Sequence, residues 1–186
     1  SLVHKPLNIL EIGTHRGEFT SFLAQYFPDS IIHTVDLPED DPLFIGSYER
    51  DLATERASYI CARDRSLLQY SNIQFCELDS FHLLAKFPEG FFDLIWVDGD
   101  HLYPQVAIDI FQSFRLIKDS GFFCVDDIVQ QEVFKETVYG WNEGYKSIKN
   151  LTDRGLVESR FIRKRAHGKR RNKYIAICKK RIFEDL

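Results

Sequence analysis

Short apolar runs alternate along this chain with longer stretches in which apolar residues recur every three or four positions. Five runs have the length of buried strands: 7–12, 31–35, 73–76, 92–97 and 121–125. Helical spacing occupies four stretches between and after them: 19–27, 48–68, 81–87 and 103–117. Strands that alternate with helices predict a parallel sheet covered by helices on both faces.

The pattern changes after the fifth strand. We expect a helical stretch over 129–150, followed by period-two alternation at 157–162 and 173–178 around a turn at 165–171 that contains Gly168. We expect a loop at 37–46, which contains Pro38 and Pro42. The predicted fold is α/β: one doubly wound, Rossmann-like domain over 1–186. Its seven-stranded sheet is mostly parallel and ends in an antiparallel hairpin at about 156–180.

Composition narrows the class of protein. The chain has 186 residues, of which 44% are hydrophobic and 28% charged, a profile of one folded domain. No apolar run approaches the roughly 20 residues of a membrane span. The cysteines have no CxxC spacing, and we expect reduced, mostly buried thiols in a cytoplasmic protein. Because the chain lacks Met and begins at Ser1, we expect a processed or excised piece of a longer product.

The net charge of −4 conceals an uneven distribution. Lys and Arg are concentrated in 154–181, where Glu158 is the one acid, whereas acids dominate 1–153. The basic residues of 163–173 could meet a phosphate-bearing or nucleic-acid substrate, or an acidic partner. A solvated hairpin tip is the favoured alternative.

A glycine-containing turn follows the first strand. Glu11 lies within the strand, and Gly13 and Gly17 follow in the turn before the first helix. Glycines allow positive φ and close backbone approach, as a turn needs when a ligand lies against it. The alternative is a turn that is simply tight. His15 stands where the dinucleotide fingerprint has its middle glycine, which disfavours NAD.

Acids follow the next two strands. Asp36 closes the second strand, where a carboxylate can accept both ribose hydroxyls of a nucleoside. Asp79 follows the third strand and is suited to an adenine amino group or a backbone amide. A solvated loop acid at Asp36 and a helix N-cap at Asp79 or Ser80 are the structural alternatives.

Together these motifs resemble those of the class I S-adenosylmethionine-dependent methyltransferases. The similarity rests on the ExGxxxG of 11–17, Asp36, the Leu-Asp-Ser of 78–80 and the terminal hairpin, and it spans about 8–180. It implies that the glycine turn passes under the methionine part of the cofactor, that Asp36 holds the ribose and that Asp79 addresses adenine. The full predicted cofactor site comprises Glu11, Gly13, Thr14, Gly17, Asp36, Leu37, Asp79, Ser80 and Asp98.

A second acidic group follows the central strands. Residues 98–101 read Asp-Gly-Asp-His, and Asp126 and Asp127 end the next strand. Crowded carboxylates repel unless a cation neutralises them, and oxygen ligands suit Mg²⁺, Mn²⁺ or Ca²⁺. The pattern is similar to that of metal-dependent O-methyltransferases that act on the sugars of natural products. That resemblance implies Asp98, Asp126 and Asp127 as metal ligands.

Methyl transfer to oxygen requires a base. A divalent ion would lower the pKa of an acceptor hydroxyl, and His101 or Asp100 would then take its proton. We favour His101, because histidine titrates near neutrality; capping the next helix or bonding a neighbouring acid is the alternative. His15 and Arg16 could touch substrate or the methionine carboxylate, or be exposed to solvent.

These observations predict S-adenosylmethionine-dependent methyl transfer to a hydroxyl of a small sugar-like or secondary-metabolite acceptor, assisted by a divalent cation. The aromatic residues Tyr139, Trp141 and Tyr145 could wall an acceptor pocket or pack in the core.

The alternative functions are those of an RNA or protein methyltransferase that docks through the basic hairpin, an NAD-dependent oxidoreductase and a non-catalytic nucleic-acid-binding module. The chain lacks an [D/N]PPY tetrapeptide after strand four, which disfavours base N-methylation. Homo-oligomerisation is left open.

Overall fold

A mixed seven-stranded sheet forms the centre of the molecule. The computed structural model describes residues 5–47, 50–130, 142–164 and 173–181. The strands are β1 (Asn8–Ile12), β2 (Ile31–Asp36), β3 (Ile73–Glu77), β4 (Phe92–Val97), β5 (Ile117–Ile128), β6 (Val157–Arg163) and β7 (Tyr174–Lys180). Their order across the sheet is β3-β2-β1-β4-β5-β7-β6. Strands β1 to β5 pair in parallel and β7 is antiparallel to both of its neighbours, which confirms the predicted fold class.

Helices connect the parallel strands. They are α1 (Glu18–Tyr26), α2 (Pro42–Ile45), α3 (Ala53–Leu67), α4 (Leu83–Lys86), α5 (Gln105–Leu116) and α6 (Glu143–Asp153), and a 3₁₀ turn at Ser80–His82 precedes α4. None of the helices in these described ranges combines the length and apolar character that a membrane crossing requires.

The core lies around the two central strands. Ile9 and Leu10 of β1 and Ile95 of β4 have no exposed surface, as expected for strands with helices on both faces. Strand order reverses between β1 and β4, and such a switch point opens a crevice at the carboxyl ends of the strands. The backbone N–H of Asp98 donates to the carbonyl of Ile12 at 2.9 Å, so the loops after β1 and β4 begin side by side.

Several predicted boundaries are wrong. β5 runs over Ile117–Ile128 rather than 121–125, because it pairs with β4 from Ile117 and with β7 as far as Ile128, across an irregularity in each pairing. The predicted loop at 37–46 contains α2, which Asp41 caps by accepting the N–H of Leu43 at 2.7 Å. The helix expected from 48 begins at Ala53.

Some predicted features lie outside the described residues. These are the first part of the helix expected at 129–150, Tyr139, Trp141 and the hairpin turn at 165–171. The described part of that helix is α6, which ends at Asp153. Tyr145 is partly buried and packs against the core and against Phe161, with ring centroids 5.5 Å apart, which favours core packing for this residue.

The thiols are free, and their burial varies. Cys124 and Cys178 are buried, which raises the pKa of each thiol to about 12. Cys76 is partly buried, and Cys61 is exposed on α3.

Candidate active site

The glycine turn is pressed against the loop that follows β4. Gly13 and Gly17 have φ of 98° and 72°, in the left-handed region that favours glycine. A Cβ on Gly13 would lie 2.4 Å from the carbonyl oxygen of Asp98. His15 also has a positive φ, of 48°. The glycine turn, which is predicted to bind the cofactor, is therefore in direct contact with Asp98, the first residue of the acidic segment after β4.

Glu11 and Thr14 support the turn from inside the protein. Glu11 is 1% exposed, and its Oε2 accepts hydrogen bonds from the hydroxyls of Thr20 at 2.5 Å and Thr34 at 2.6 Å. The hydroxyls of Thr14 and Thr34 lie 2.7 Å apart. Burial raises the pKa of Glu11 to about 7. Both side chains were expected in the cofactor site, but they bind protein groups beneath it.

Asp36 links the end of β2 to the same turn. Its Oδ2 accepts the backbone N–H of His15 at 2.9 Å, and its Oδ1 accepts that of Leu37 at 2.9 Å. The side chain is only partly buried. A carboxylate oxygen has more than one acceptor position, so both oxygens can also accept ribose hydroxyls. The predicted residues Asp36 and Leu37 thus lie next to the glycine turn.

The segment after β3 is organised differently. Asp79 caps the 3₁₀ turn by accepting the N–H of Phe81 at 2.9 Å, which confirms the alternative prediction of an N-cap. Ser80 is 9% exposed, and its hydroxyl donates to Oδ1 of Asp109 at 2.6 Å while Gln105 donates to it at 2.6 Å. The Ser80 hydroxyl therefore faces inward, away from the expected adenine contact.

Asp109 was missed by the sequence analysis. It is 1% exposed on the buried face of α5, and burial raises its pKa to about 6. Its other oxygen, Oδ2, has no hydrogen-bond partner among the described residues and would lie 3.5 Å from a Cβ on Gly99. The available signal was a single acid on a helix face whose other buried residues are uncharged. Asp109 joins the loop after β3 to the loop after β4.

An aromatic and basic group, also missed, lies beside Asp36. Arg50 is 7% exposed and stacks on the rings of Phe44 and Tyr59, at 4.3 Å and 4.7 Å from their centroids. The ring of His15 meets Tyr59 edge-on at 5.3 Å. Arg16 lies over Tyr59 at 5.7 Å. Burial and the nearby arginines lower the pKa of His15. His15 and Arg16 therefore turn towards α3.

Asp98, which follows β4, and Asp126 and Asp127, near the end of β5, come together as predicted. His101 Nε2 lies 3.7 Å from Oδ1 of Asp98 and 4.0 Å from Oδ2 of Asp127. Burial, reinforced by the charges of Asp126 and Asp127, raises the pKa of Asp98 to about 7. Burial also lowers the pKa of His101, although the charge of Asp127 opposes that shift. The lowered pKa favours the neutral imidazole of His101, the form that accepts a proton.

Asp100 is oriented differently from His101. It is exposed, and its Oδ1 accepts the backbone N–H of Leu102 at 2.9 Å, which is a local turn contact. Its predicted role as a base in the cluster has no support from this geometry.

Two lysines of the hairpin enter the acidic cluster, and no motif had indicated them. Lys164 Nζ donates to both oxygens of Asp126 at 2.8 Å and to Oδ1 of Asp127 at 2.9 Å. Lys173 Nζ donates to Oδ2 of Asp127. Although burial opposes it, these bonds lower the pKa of Asp127 and raise that of Lys164. The available signal was the concentration of Lys and Arg in 154–181.

The cluster does not fit a divalent cation as it is arranged. Carboxylate oxygens are the right chemistry for Mg²⁺, but those of Asp126 and Asp127 already accept ammonium groups. Over the ranges that the structure describes, no group of three or more His, Cys, Asp or Glu side chains could hold a metal ion. The geometry thus gives no support to Asp98, Asp126 and Asp127 as metal ligands.

Comparison with protein families identifies the class. The chain matches the model of a methyltransferase domain family over residues 10–128, which include the glycine turn, Asp36, the acids after β3 and β4, and the two acids near the end of β5. The chain belongs to this methyltransferase family. Together with the strand order, this confirms the resemblance to class I methyltransferases.

Comparison also finds a relative in sequence and solved structures of the same fold. An uncharacterised protein of Acanthamoeba polyphaga mimivirus is 27% identical over 126 residues, which are 65% of this chain and 51% of that protein; the chain thus spans about half of this relative. An O-methyltransferase from Bacillus cereus in complex with SAH has a TM-score of 0.66 at 15% identity, with 96% of this chain and 76% of that chain covered. The O-methyltransferase TomG from Streptomyces achromogenes, in complex with SAM, has a TM-score of 0.61 at 18% identity, with 96% and 75% covered. At these identities, the likeness shows a shared fold.

Proposed function

We propose that this chain transfers a methyl group from S-adenosylmethionine to a hydroxyl oxygen of a small acceptor. The observation that carries the proposal is the close approach of Gly13 to Asp98. On one side of this contact lie the glycine turn and Asp36, the residues suited to the cofactor. On the other side lies His101, the residue suited to the acceptor. Methyl donor and base therefore belong to one site at the switch point of the sheet.

Cofactor binding in this proposal is done by backbone and one carboxylate. Gly13 and Gly17 adopt positive φ, a conformation in which glycine lets the backbone of the turn approach a ligand closely. Asp36 is held by two backbone N–H groups and presents its oxygens to the ribose. When bound, S-adenosylmethionine supplies an activated methyl group on a sulfonium.

His101 is the general base in this proposal. It takes the proton of the acceptor hydroxyl at Nε2 while the oxygen forms its bond to the methyl carbon, and the electron pair of the broken C–S bond stays on sulfur. Asp98 and Asp127, at 3.7 Å and 4.0 Å, then stabilise the imidazolium. The His101 side chain is 40% exposed, so an acceptor can reach it.

Oxygen is proposed as the acceptor atom because structures of the same fold include O-methyltransferases. TomG is involved in tomaymycin synthesis, which supports a secondary-metabolite acceptor for this chain; a sugar-like acceptor has its support in the Asp-Gly-Asp-His motif of 98–101. The divalent cation expected from the sequence has no step in the proposal, because lysines occupy the carboxylates.

An RNA or protein acceptor that docks on the basic hairpin is less well supported. Lys164 and Lys173, two of its basic residues, are bonded to Asp126 and Asp127 and do not form an open basic surface.

The first experiment is calorimetry with S-adenosylhomocysteine, S-adenosylmethionine and NAD. We expect one site for each of the two sulfur compounds, with Kd values of about 1–100 μM, and no heat with NAD. Mass spectrometry should then detect one added methyl on hydroxyl acceptors and none on matched amines. Failure to bind either sulfur compound would refute the proposal. Methylation of RNA in place of small hydroxyl compounds would favour the docking alternative.

A further inference from the structure

Lys164 and Lys173 hold fixed positions across the hairpin. Lys164 follows the last residue of β6, and Lys173 precedes the first residue of β7. The backbone N–H of Lys164 donates to the carbonyl of Lys173 at 2.8 Å, which continues the pairing of Arg163 with Tyr174. The sheet therefore sets the two ammonium groups side by side at the edge of the acidic cluster.

A bulge in β5 turns both acids towards these lysines. β7 pairs Val125 with Ala176 and Ile128 with Tyr174, so β5 has one residue more than β7 across this interval. Consecutive side chains of a regular strand point to opposite faces, but a bulge re-aims them. Asp127 has a φ of 52°, a conformation uncommon outside glycine. Both Asp126 and Asp127 can consequently contact Lys164.

These contacts use all three N–H donors of the Lys164 ammonium group. An ammonium group has three N–H donors, and Lys164 meets three carboxylate oxygens at 2.8–2.9 Å. Lys173 adds a contact to the second oxygen of Asp127. A divalent ion needs several of these oxygens at once and would have to displace both lysines.

We infer that Lys164 and Lys173 take the place of a divalent cation in this site, so that Asp126 and Asp127 of β5 are ordered by a cross-hairpin pair of ammonium groups and no metal binds. The lysines are positioning residues, because they act through Asp127, which faces His101. The effect of the lysines on His101 as a base rests on the proposed function, whereas the exclusion of a metal ion does not.

The test measures Mn²⁺ binding by calorimetry and electron paramagnetic resonance in the whole chain after chelation and dialysis. We expect the unmodified chain to show no saturable site with a Kd below about 1 mM, the weak end of oxygen-ligand sites. The double variant Lys164→Met and Lys173→Met keeps the alkyl stems and removes the charges. It should gain a Mn²⁺ site whose affinity is at least about tenfold higher than the 1 mM limit expected for the unmodified chain, because its carboxylates then lack a cation. The control Lys179→Met removes a charge from β7, where Lys179 lies over Phe122, and should gain no site.

A saturable Mn²⁺ site in the unmodified chain that is lost in Asp126→Asn would overturn the inference. If the double variant does not fold, the measurement on the unmodified chain still decides. Calorimetry with S-adenosylhomocysteine on the same samples separates the two proposals: loss of that binding contradicts the proposed function and leaves the metal result unaffected. Where turnover is found, EDTA should change it less than about twofold, and strong inhibition that added Mg²⁺ reverses would also overturn the inference.

Discussion

The backbone N–H of His15 donates to Oδ2 of Asp36 at 2.9 Å, which ties the glycine turn to the end of β2. The other oxygen of Asp36 accepts the N–H of Leu37, so the carboxylate cannot rotate away. The acid that would hold the ribose is thus preorganised by the turn that would hold the rest of the cofactor. Binding should consequently require little rearrangement on this side of the site.

Asp36→Ala should weaken S-adenosylhomocysteine binding by at least about 100-fold, because it removes hydrogen bonds to a charged acceptor that contribute about 1.5–3 kcal/mol each. Calorimetry measures the loss. Asp40→Ala is the matched control, since Asp40 is an exposed acid of the same loop and its removal changes the net charge equally. Equal affinities of the two variants would show that Asp36 does not contact the cofactor.

Gly13→Ala should destabilise the fold far more than Gly90→Ala. Both glycines have positive φ, of 98° and 65°, so alanine is strained at either position by about 1–2 kcal/mol. Only the first variant adds a clash, because its Cβ would lie 2.4 Å from the Asp98 carbonyl, whereas a Cβ on Gly90 meets nothing within 4 Å. Urea unfolding should show an additional loss of about 2 kcal/mol or more for Gly13→Ala. Similar losses would mean that the loops after β1 and β4 separate easily.

The sequence predicts those features of the fold and the site that depend on neighbouring residues and on the order of the strands. The apolar runs that became β1 and β4, the glycine turn after β1 and Asp98 after β4 were predictable, because strand period and parallel order are local or topological properties. The lysines that reach Asp126 and Asp127 were not, because their contacts depend on the register of β7 against β5 and on the bulge near Asp127. Asp79 looked equally suited to adenine and to a helix cap, and three-dimensional geometry was needed to reveal the cap.

His101→Ala should lower kcat about 10²–10⁴-fold, the usual contribution of a general base, and change S-adenosylhomocysteine affinity less than about threefold. The reason is that His101 faces Asp98 and Asp127, while the predicted ribose contact is at Asp36. His82→Ala, at an exposed histidine, is the control and should retain full turnover. A His101 variant with unchanged kcat would remove the base from the mechanism.

Glu11→Gln should change how stability depends on pH. The pKa of Glu11 is raised from 4.5 to about 7 by burial, so between these values the folded chain keeps a proton that the unfolded chain has lost. The contribution of Glu11 to the free energy of unfolding therefore falls as pH rises through this interval, by about 3 kcal/mol in total. Glutamine carries no charge at any pH and removes this dependence.

The measurable quantity is the difference in unfolding free energy between the Glu11→Gln variant and the unmodified chain, from urea titrations between about pH 5 and about pH 8. The variant should gain about 2–3 kcal/mol relative to the unmodified chain over that range. Asp98 and Asp109 titrate in the same interval but are present in both proteins, so their contributions cancel. Glu55→Gln, at an exposed position of α3, should vary by less than about 0.5 kcal/mol. A flat difference for Glu11→Gln would mean that Glu11 is ionised in the folded chain at low pH, and that the hydroxyls of Thr20 and Thr34 outweigh its burial.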